Sequence, residues 1–198
     1  VTLDILEPAR RKVYLTDNPH VIGFIGSQNQ HNKEGLECFI ESHWDNIRSA
    51  IPNAELHIAG AIYTEIEVRK IPGISFLGRV DSLAEYYDSC AFCINPCLTG
   101  SGLKIKSVES LTYGKPLVTS HEGAEGIEHA NGKGMFIFSI EEHGFGKTCI
   151  ALLENRVLTD EMGSAALEFI NKSVKINKNA LSYLLPCDKV ADKLELAN

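Results

Sequence analysis

The stretch Ala91–Ser120, AFCINPCLTGSGLKIKSVESLTYGKPLVTS, decides the fold. It opens on the apolar run AFCINP, which is too short for a helix, is bounded by Pro96 and reads as a buried strand. The loop TGSG follows. Ile105–Tyr113 then carries helical periodicity as far as Gly114, a residue suited to the left-handed geometry that ends many helices. PLVTS is a second apolar strand. Two such strands joined through one helix form a βαβ unit, so they pair in parallel with a right-handed crossover.

The same alternation extends outward in both directions. Upstream, VIGFIG (Val21–Gly26) predicts a strand, and SQNQHN a polar loop. Leu36, Phe39, Ile40, Trp44, Ile47 and Ile51 recur at helical spacing, which predicts an amphipathic helix over Lys33–Ala50 that stops near Pro52. ELHIAG and ISFLG are strands ending in Gly60 and Gly78, and Asp81 or Ser82 can cap a helix over Leu83–Ser89. Downstream, the Gly-rich loop HEGAEGIEHANGKG leads into the strand MFIF. Helices are expected over Glu141–Glu154, Thr159–Asn171 and Asn177–Leu185, with a break at Pro186 and a short helix over Asp188–Leu196. The expectation is an α/β fold with a doubly wound, mostly parallel, Rossmann-like sheet of five or six strands. Residues 21–198 form its one domain and residues 1–20 a lead-in.

Composition sets bounds on function. The chain has 198 residues, 44% hydrophobic and 23% charged, with a formal net charge of −7. Its apolar content is too high for disorder, and no apolar run approaches the ~20 residues of a membrane helix. An acidic chain without a basic cluster is poorly suited to binding nucleic acid by neutralising phosphates. Six cysteines, Cys38, Cys90, Cys93, Cys97, Cys149 and Cys187, do not form a secreted disulfide framework and favour a reducing cytoplasm. The cluster CAFCINPC lacks the turn and the second ligand pair of a zinc site, and strand alternation is expected to send Cys90 and Cys93 to opposite faces. Structural thiols are the expectation, with no metal and no cofactor.

In an open parallel sheet, ligands bind beyond the carboxyl ends of the strands. The loops GSQNQHN, GRVD, CLTGSGLKIK and HEGAEG lie there. Thr99–Tyr113 is the most informative, because a Gly-rich loop feeding a helix leaves unpaired backbone N–H groups at the positive end of the helix dipole. Lys106, Glu109 and Tyr113 share one face. Lysine near the tip can neutralise a phosphate, and a carboxylate one turn deeper can accept hydrogen bonds from a ribose diol. The same spacing also suits a plain surface ion pair between Lys106 and Glu109. No GxxxxGK[ST] loop, GxGxxG fingerprint or GxSxG elbow is present. His31, His121, His129 and His143 have no metal-ligand spacing, and Glu125 reads as a residue that orders its loop.

The ordered segments GFIGSQNQHNKEGLECFIESHWDNIRSAIPNAELHIAG and ISFLGRVDSLAEYYDSCAFCINPCLTGSGLKIKSVESLTYGKPLVTSHEGAEGI resemble the C-terminal half of a group 1 glycosyltransferase, glycosyltransferase family 4. The likeness is close over Val21–Ile127 and looser beyond. It implies one Rossmann-like half of a GT-B fold that binds the nucleotide part of a nucleotide-diphospho-sugar donor for a retaining transfer in glycan biosynthesis. Position by position, Glu109 matches the family's ribose-binding glutamate, and Gly102 and Lys106 match the loop and the basic residue at the diphosphate. Lys106 and Glu109 are therefore the candidate catalytic residues. Ser27, Lys33, Val80, Gly100, Ser101, Gly102, Leu103, Gly123 and Glu125 are the candidate substrate-binding residues, with Val80 near the base.

One departure from the family stands out. The first glutamate of its pair belongs eight residues before Glu109, where this chain has Ser101, so contacts to the donor sugar must come from elsewhere, such as the LTGSG backbone. The resemblance also implies that an N-terminal acceptor-binding half is the partner of this domain and lies outside this chain, which starts at Val1. This half alone is then expected to bind donor rather than turn it over, in the cytoplasm. Membrane contact, if any, would be peripheral and made by the other half at the inner face. Two other readings stay open: a nucleotide-sugar epimerase of the same fold, and a non-catalytic nucleotide-binding module.

Overall fold

The computed structural model describes residues 16, 18–64 and 71–184. The expected lead-in lies largely outside these residues, as do the break at Pro186, the helix over Asp188–Leu196, and Cys187.

Each short apolar run forms a strand: β1 Val21–Ile25, β2 Glu55–Ala59, β3 Ile74–Gly78, β4 Phe92–Asn95, β5 Leu117–Thr119 and β6 Met135–Ile137. They make one six-stranded sheet in the order β3-β2-β1-β4-β5-β6, and every pairing is parallel. Between β1 and β2 lie α1 (Gln30–Phe39), a π-helical turn (Ile40–Trp44) and α2 (Asp45–Ala50). Then come α3 (Leu83–Ser89), α4 (Ile105–Thr112), α5 (His143–Glu154) and α6 (Arg156–Leu184). Residue alternation along the strands divides the core in two. Ile22, Phe24, Leu56, Ile58, Phe92 and Ile94 join Leu36, Phe39, Trp44 and Phe145 on one face. Val21, Cys93 and Leu117 join Tyr86, Tyr87, Leu111 and Ala166 on the other. Each large apolar side chain fully buried this way contributes about 1.5–3 kcal/mol. The strand order changes direction between β1 and β4, the two central strands, which places the loops after them side by side at the carboxyl edge.

Three expectations are corrected. The first long helix starts at Gln30 rather than Lys33, because the Asn29 side chain caps it, accepting from the Asn32 N–H at 2.8 Å. It reaches Ala50 through the π-helical turn, which carries His43 inward to pair through Nε2 with the Ile140 carbonyl and to stack on Phe145 with ring centroids 5.6 Å apart. The two helices expected over Thr159–Asn171 and Asn177–Leu185 are one helix, α6. Asn171–Asn179 lacks apolar periodicity but also lacks Gly and Pro, so nothing in it stops a helix already running.

The third correction concerns Cys90 and Cys93, which share a face. A Cβ placed on Gly23 of β1 would lie 2.6 Å from the Cys90 sulfur and 3.1 Å from the Cys93 sulfur. Cys90 closes α3 and β4 begins only at Phe92, so strand alternation does not extend back to it. Cys90, Cys93, Cys97 and Cys149 are buried free thiols, and Cys38 is a half-buried one. Among the described residues no group of three or more His, Cys, Asp or Glu side chains could hold a metal ion. No described helix is long and apolar enough to cross a membrane.

Candidate functional site

The site is built where β1 and β4 end. After β1 the chain turns through Gly26 and Ser27, and Asn29 starts α1; its side-chain amide donates to Ser27 Oγ at 2.9 Å. Gly35 then lets α1 pass close to the end of β4, since a Cβ there would meet the Pro96 carbonyl oxygen at 2.3 Å. That close approach brings the first turn of α1 beside the first turn of α4. Between them lies an open cleft of about 380 Å³, lined by Ile25, Gly26, Ser27, Asn29 and Asn32 on one side and by Leu103–Lys106 and Glu109 on the other.

The loop into α4 is held in one shape. Gly100 and Gly102 take φ of 99° and 82°, values that only glycine adopts at little cost. Lys104 Nζ donates back to the Gly102 carbonyl at 2.7 Å and the Gly100 carbonyl at 3.2 Å. The Gly102 N–H donates to Glu125 Oε2 at 2.7 Å, and the same oxygen lies 3.5 Å from Lys104 Nζ. At the loop's start, Thr99 pairs with His31 of α1. No side chain caps α4.

Lys106 and Glu109 do not pair with each other. Lys106 Nζ donates to Asn32 Oδ1 and sits 4.6 Å from the centre of the Phe24 ring. Burial pulls its pKa down to about 8; nearby Cys97 works against that shift and the charge on Lys104 adds to it. Glu109 Oε2 accepts from the Tyr87 hydroxyl at 3.2 Å, and the Tyr87 ring stacks on Tyr113 at 4.6 Å. Burial raises the Glu109 carboxyl above its ordinary pKa, and the Tyr87 hydrogen bond offsets part of that rise. The face therefore presents a cation near the helix tip and a carboxylate one turn deeper, each steadied by a different helix.

Of the residues singled out in the sequence, Ser27, Leu103, Lys106 and Glu109 line the cleft. Gly100, Ser101 and Gly102 form the exposed loop at its rim, and Glu125 is fastened to that loop. Gly123 is drawn into the interior: its N–H donates to Ser120 Oγ at 3.0 Å and its carbonyl accepts from Ser107 Oγ at 2.7 Å. Lys33 is half-buried on α1, and Val80 is half-buried in the loop after β3; neither lines this cleft. Asn29, Asn32, Lys104 and Ile105 line it without having been singled out, and Tyr87 supports it from α3. Asn29 carried a readable signal as a helix-capping residue ahead of an apolar periodic run.

Solved structures share this fold. TarM from S. aureus, determined with Fondaparinux, alpha-GlcNAc-glycerol and UDP, superposes with a TM-score of 0.69 at 17% identity, covering 88% of this chain and 37% of its own. Anabaena HepE in complex with UDP gives 0.63 at 18% identity, covering 84% of this chain and 49% of HepE. The C-terminal domain of the group 1 glycosyl transferase LpcC from Francisella tularensis gives 0.62 at 13% identity, covering 80% of this chain and 94% of that domain. The chain thus spans well under two thirds of TarM and HepE. Curated protein sequences give no significant match. The family profile described as glycosyl transferases group 1 matches residues 19–155, well over half of the sequence, and the chain belongs to that family.

Proposed function

We propose that residues 21–198 bind the nucleotide-diphosphate part of a nucleotide-sugar donor for a retaining glycosyltransferase. The observation that carries this reading is the spacing on α4, with a half-buried ammonium near the helix tip and a half-buried carboxylate one turn deeper, unpaired with each other. The uncapped N–H groups of α4 and Lys106 meet the diphosphate, and Glu109 accepts from the ribose hydroxyls. Gly100, Ser101, Gly102 and Leu103 border the sugar, with Glu125 and Gly123 holding that border, while Ser27 faces the phosphates from the loop after β1. HepE, of the same fold, has been solved with UDP-glucose, which supports this class of ligand.

In transfer, negative charge builds on the departing diphosphate as the sugar becomes oxocarbenium-like. Preorganised N–H groups and Lys106 stabilise that charge, an electrostatic role these groups can fill without a metal. A second domain supplies the acceptor and completes the cleft, so this half binds better than it catalyses. Calorimetric titration with UDP, GDP and ADP, beside Glu109→Ala, tests the reading. Binding of one nucleotide below millimolar, weakened by the substitution, is expected. Failure of all three to bind the intact protein overturns it.

A further inference from the structure

Asn32 is 7% exposed, and its side chain turns inward from the first turn of α1 rather than out to solvent. Its two polar atoms have different partners. Nδ2 donates to the Ser27 carbonyl at 2.9 Å, which fixes the amide so that Oδ1 faces α4 and accepts from Lys106 Nζ. The other close neighbour of that ammonium is the face of Phe24 at 4.6 Å. Both supports are uncharged. Around them, Cys97 after β4 and Lys104 just before α4 are the charged and titratable groups that act on Lys106, while Glu109 on α4 is engaged by Tyr87. Among the described ion pairs none includes Lys106.

We propose that Asn32 is the positioning residue for Lys106, its neutral carboxamide fixing the ammonium in the cleft without cancelling its charge. This rests on the reading of Lys106 as a diphosphate ligand. An ammonium has three N–H donors. Asn32 takes one and leaves two for anionic oxygens. A carboxylate in the same place would hold the ammonium more firmly, but an arriving diphosphate would then meet an ion pair instead of a cation. Using an amide keeps the site both ordered and positive. The side chain is separable from the helix cap, because α1 is capped through the backbone N–H of Asn32.

The test compares Asn32→Asp and Asn32→Ala with the parent in the intact protein, after thermal melts confirm that each folds. The Lys106 side chain is titrated by NMR with carbon-13-labelled lysine, and the tightest of UDP, GDP and ADP is titrated at pH 7. In the parent, Lys106 is expected to titrate near pH 8. Asn32→Asp should move that midpoint up by about 1 unit or more, as an opposite charge in contact does. It should also weaken nucleotide binding about tenfold or more, although the lysine is then more fully protonated. Asn32→Ala should weaken binding while leaving the site positive. An unmoved Lys106 midpoint in Asn32→Asp overturns the proposal, and so does nucleotide binding by Asn32→Asp as tight as the parent's. If the midpoint moves but the parent binds none of the three nucleotides, Asn32 positions Lys106 and it is the nucleotide reading that fails.

Discussion

Replacing Glu109 by glutamine is expected to stabilise the fold at pH 7 while weakening nucleoside diphosphate binding. Burial raises the carboxyl's pKa in the folded state. Between the ordinary value of about 4.3 and the raised one, the folded state binds more protons than the unfolded. Stability therefore falls as pH rises through that window, and the whole penalty is present at neutral pH. Glutamine keeps the shape and an oxygen for the Tyr87 hydroxyl, now 3.2 Å from Glu109 Oε2, and removes only the charge. The group is partly solvated, so screening limits the gain to less than about 1 kcal/mol. For a domain of this size that is a rise in Tm of no more than about 2–4 °C. Binding moves the other way. Hydrogen bonds to a charged acceptor contribute about 1.5–3 kcal/mol each, and glutamine presents one neutral acceptor to the diol, so affinity should fall about 10–100-fold. Thermal melts at pH 7 and through the carboxylate range, with calorimetry on the same samples, measure both effects. If Glu109 were only a surface partner of Lys106, the substitution would lower Tm at low salt and leave binding unchanged, and that pair of results would refute the reasoning.

The depressed Lys106 pKa of about 8 makes binding pH-dependent in a range where an ordinary lysine stays charged. Between pH 7 and 9 the parent's nucleotide Kd should weaken about tenfold, as the lysine loses its proton, whereas Lys106→Arg should give a flat profile; a flat parent removes Lys106 from the site. Gly35→Ala places a Cβ 2.3 Å from the Pro96 carbonyl oxygen, and the overpacking should cost about 1–3 kcal/mol in chemical denaturation. Unchanged stability would mean that α1 can retreat freely from β4. Brief alkylation of native protein followed by peptide mass spectrometry should label Cys38 well ahead of Cys90, Cys93, Cys97 and Cys149. Cys149, whose thiol burial pushes well above its ordinary pKa, should be among the slowest.

How much was legible follows from which interactions are local. The inner strands β1, β4 and β5 could be read because they are buried on both faces and appear as short, mainly apolar runs, whereas β3 at the sheet edge alternates half-buried and exposed residues and is marked out by Gly73 and Gly78 at its ends. The face of α4 could be read because helical spacing fixes Lys106 and Glu109 relative to each other whatever surrounds them. Helix ends were harder. The start of α1 depends on one hydrogen bond made by Asn29, and the unbroken course of α6 depends on the absence of a stop signal. The supports of the site could not be read at all. Asn32 reaches Lys106 across 74 residues and Tyr87 reaches Glu109 across 22. As sequence, Asn32 belongs to a polar loop and Tyr87 to the apolar side of a short helix, and only the close passage of Gly35 past Pro96 brings Asn32 to α4.

The same distinction explains Ser101. The residue eight places before Glu109, where the resemblance implies a glutamate, is Ser101. In three dimensions a carboxylate from another segment stands at that loop. Glu125 comes in from the segment after β5, accepts the Gly102 N–H at 2.7 Å and lies 3.5 Å from Lys104 Nζ. Lys104 in turn holds the carbonyls of Gly100 and Gly102, so the loop is closed on itself by one cation and one anion. Residue spacing transfers reliably along a helix, whose register is rigid. It transfers poorly across a loop, where a charge can be supplied from any segment that folds against it. The carboxylate fastened to this loop is that of Glu125, and Ser101 leaves the Lys106–Glu109 register on α4 intact.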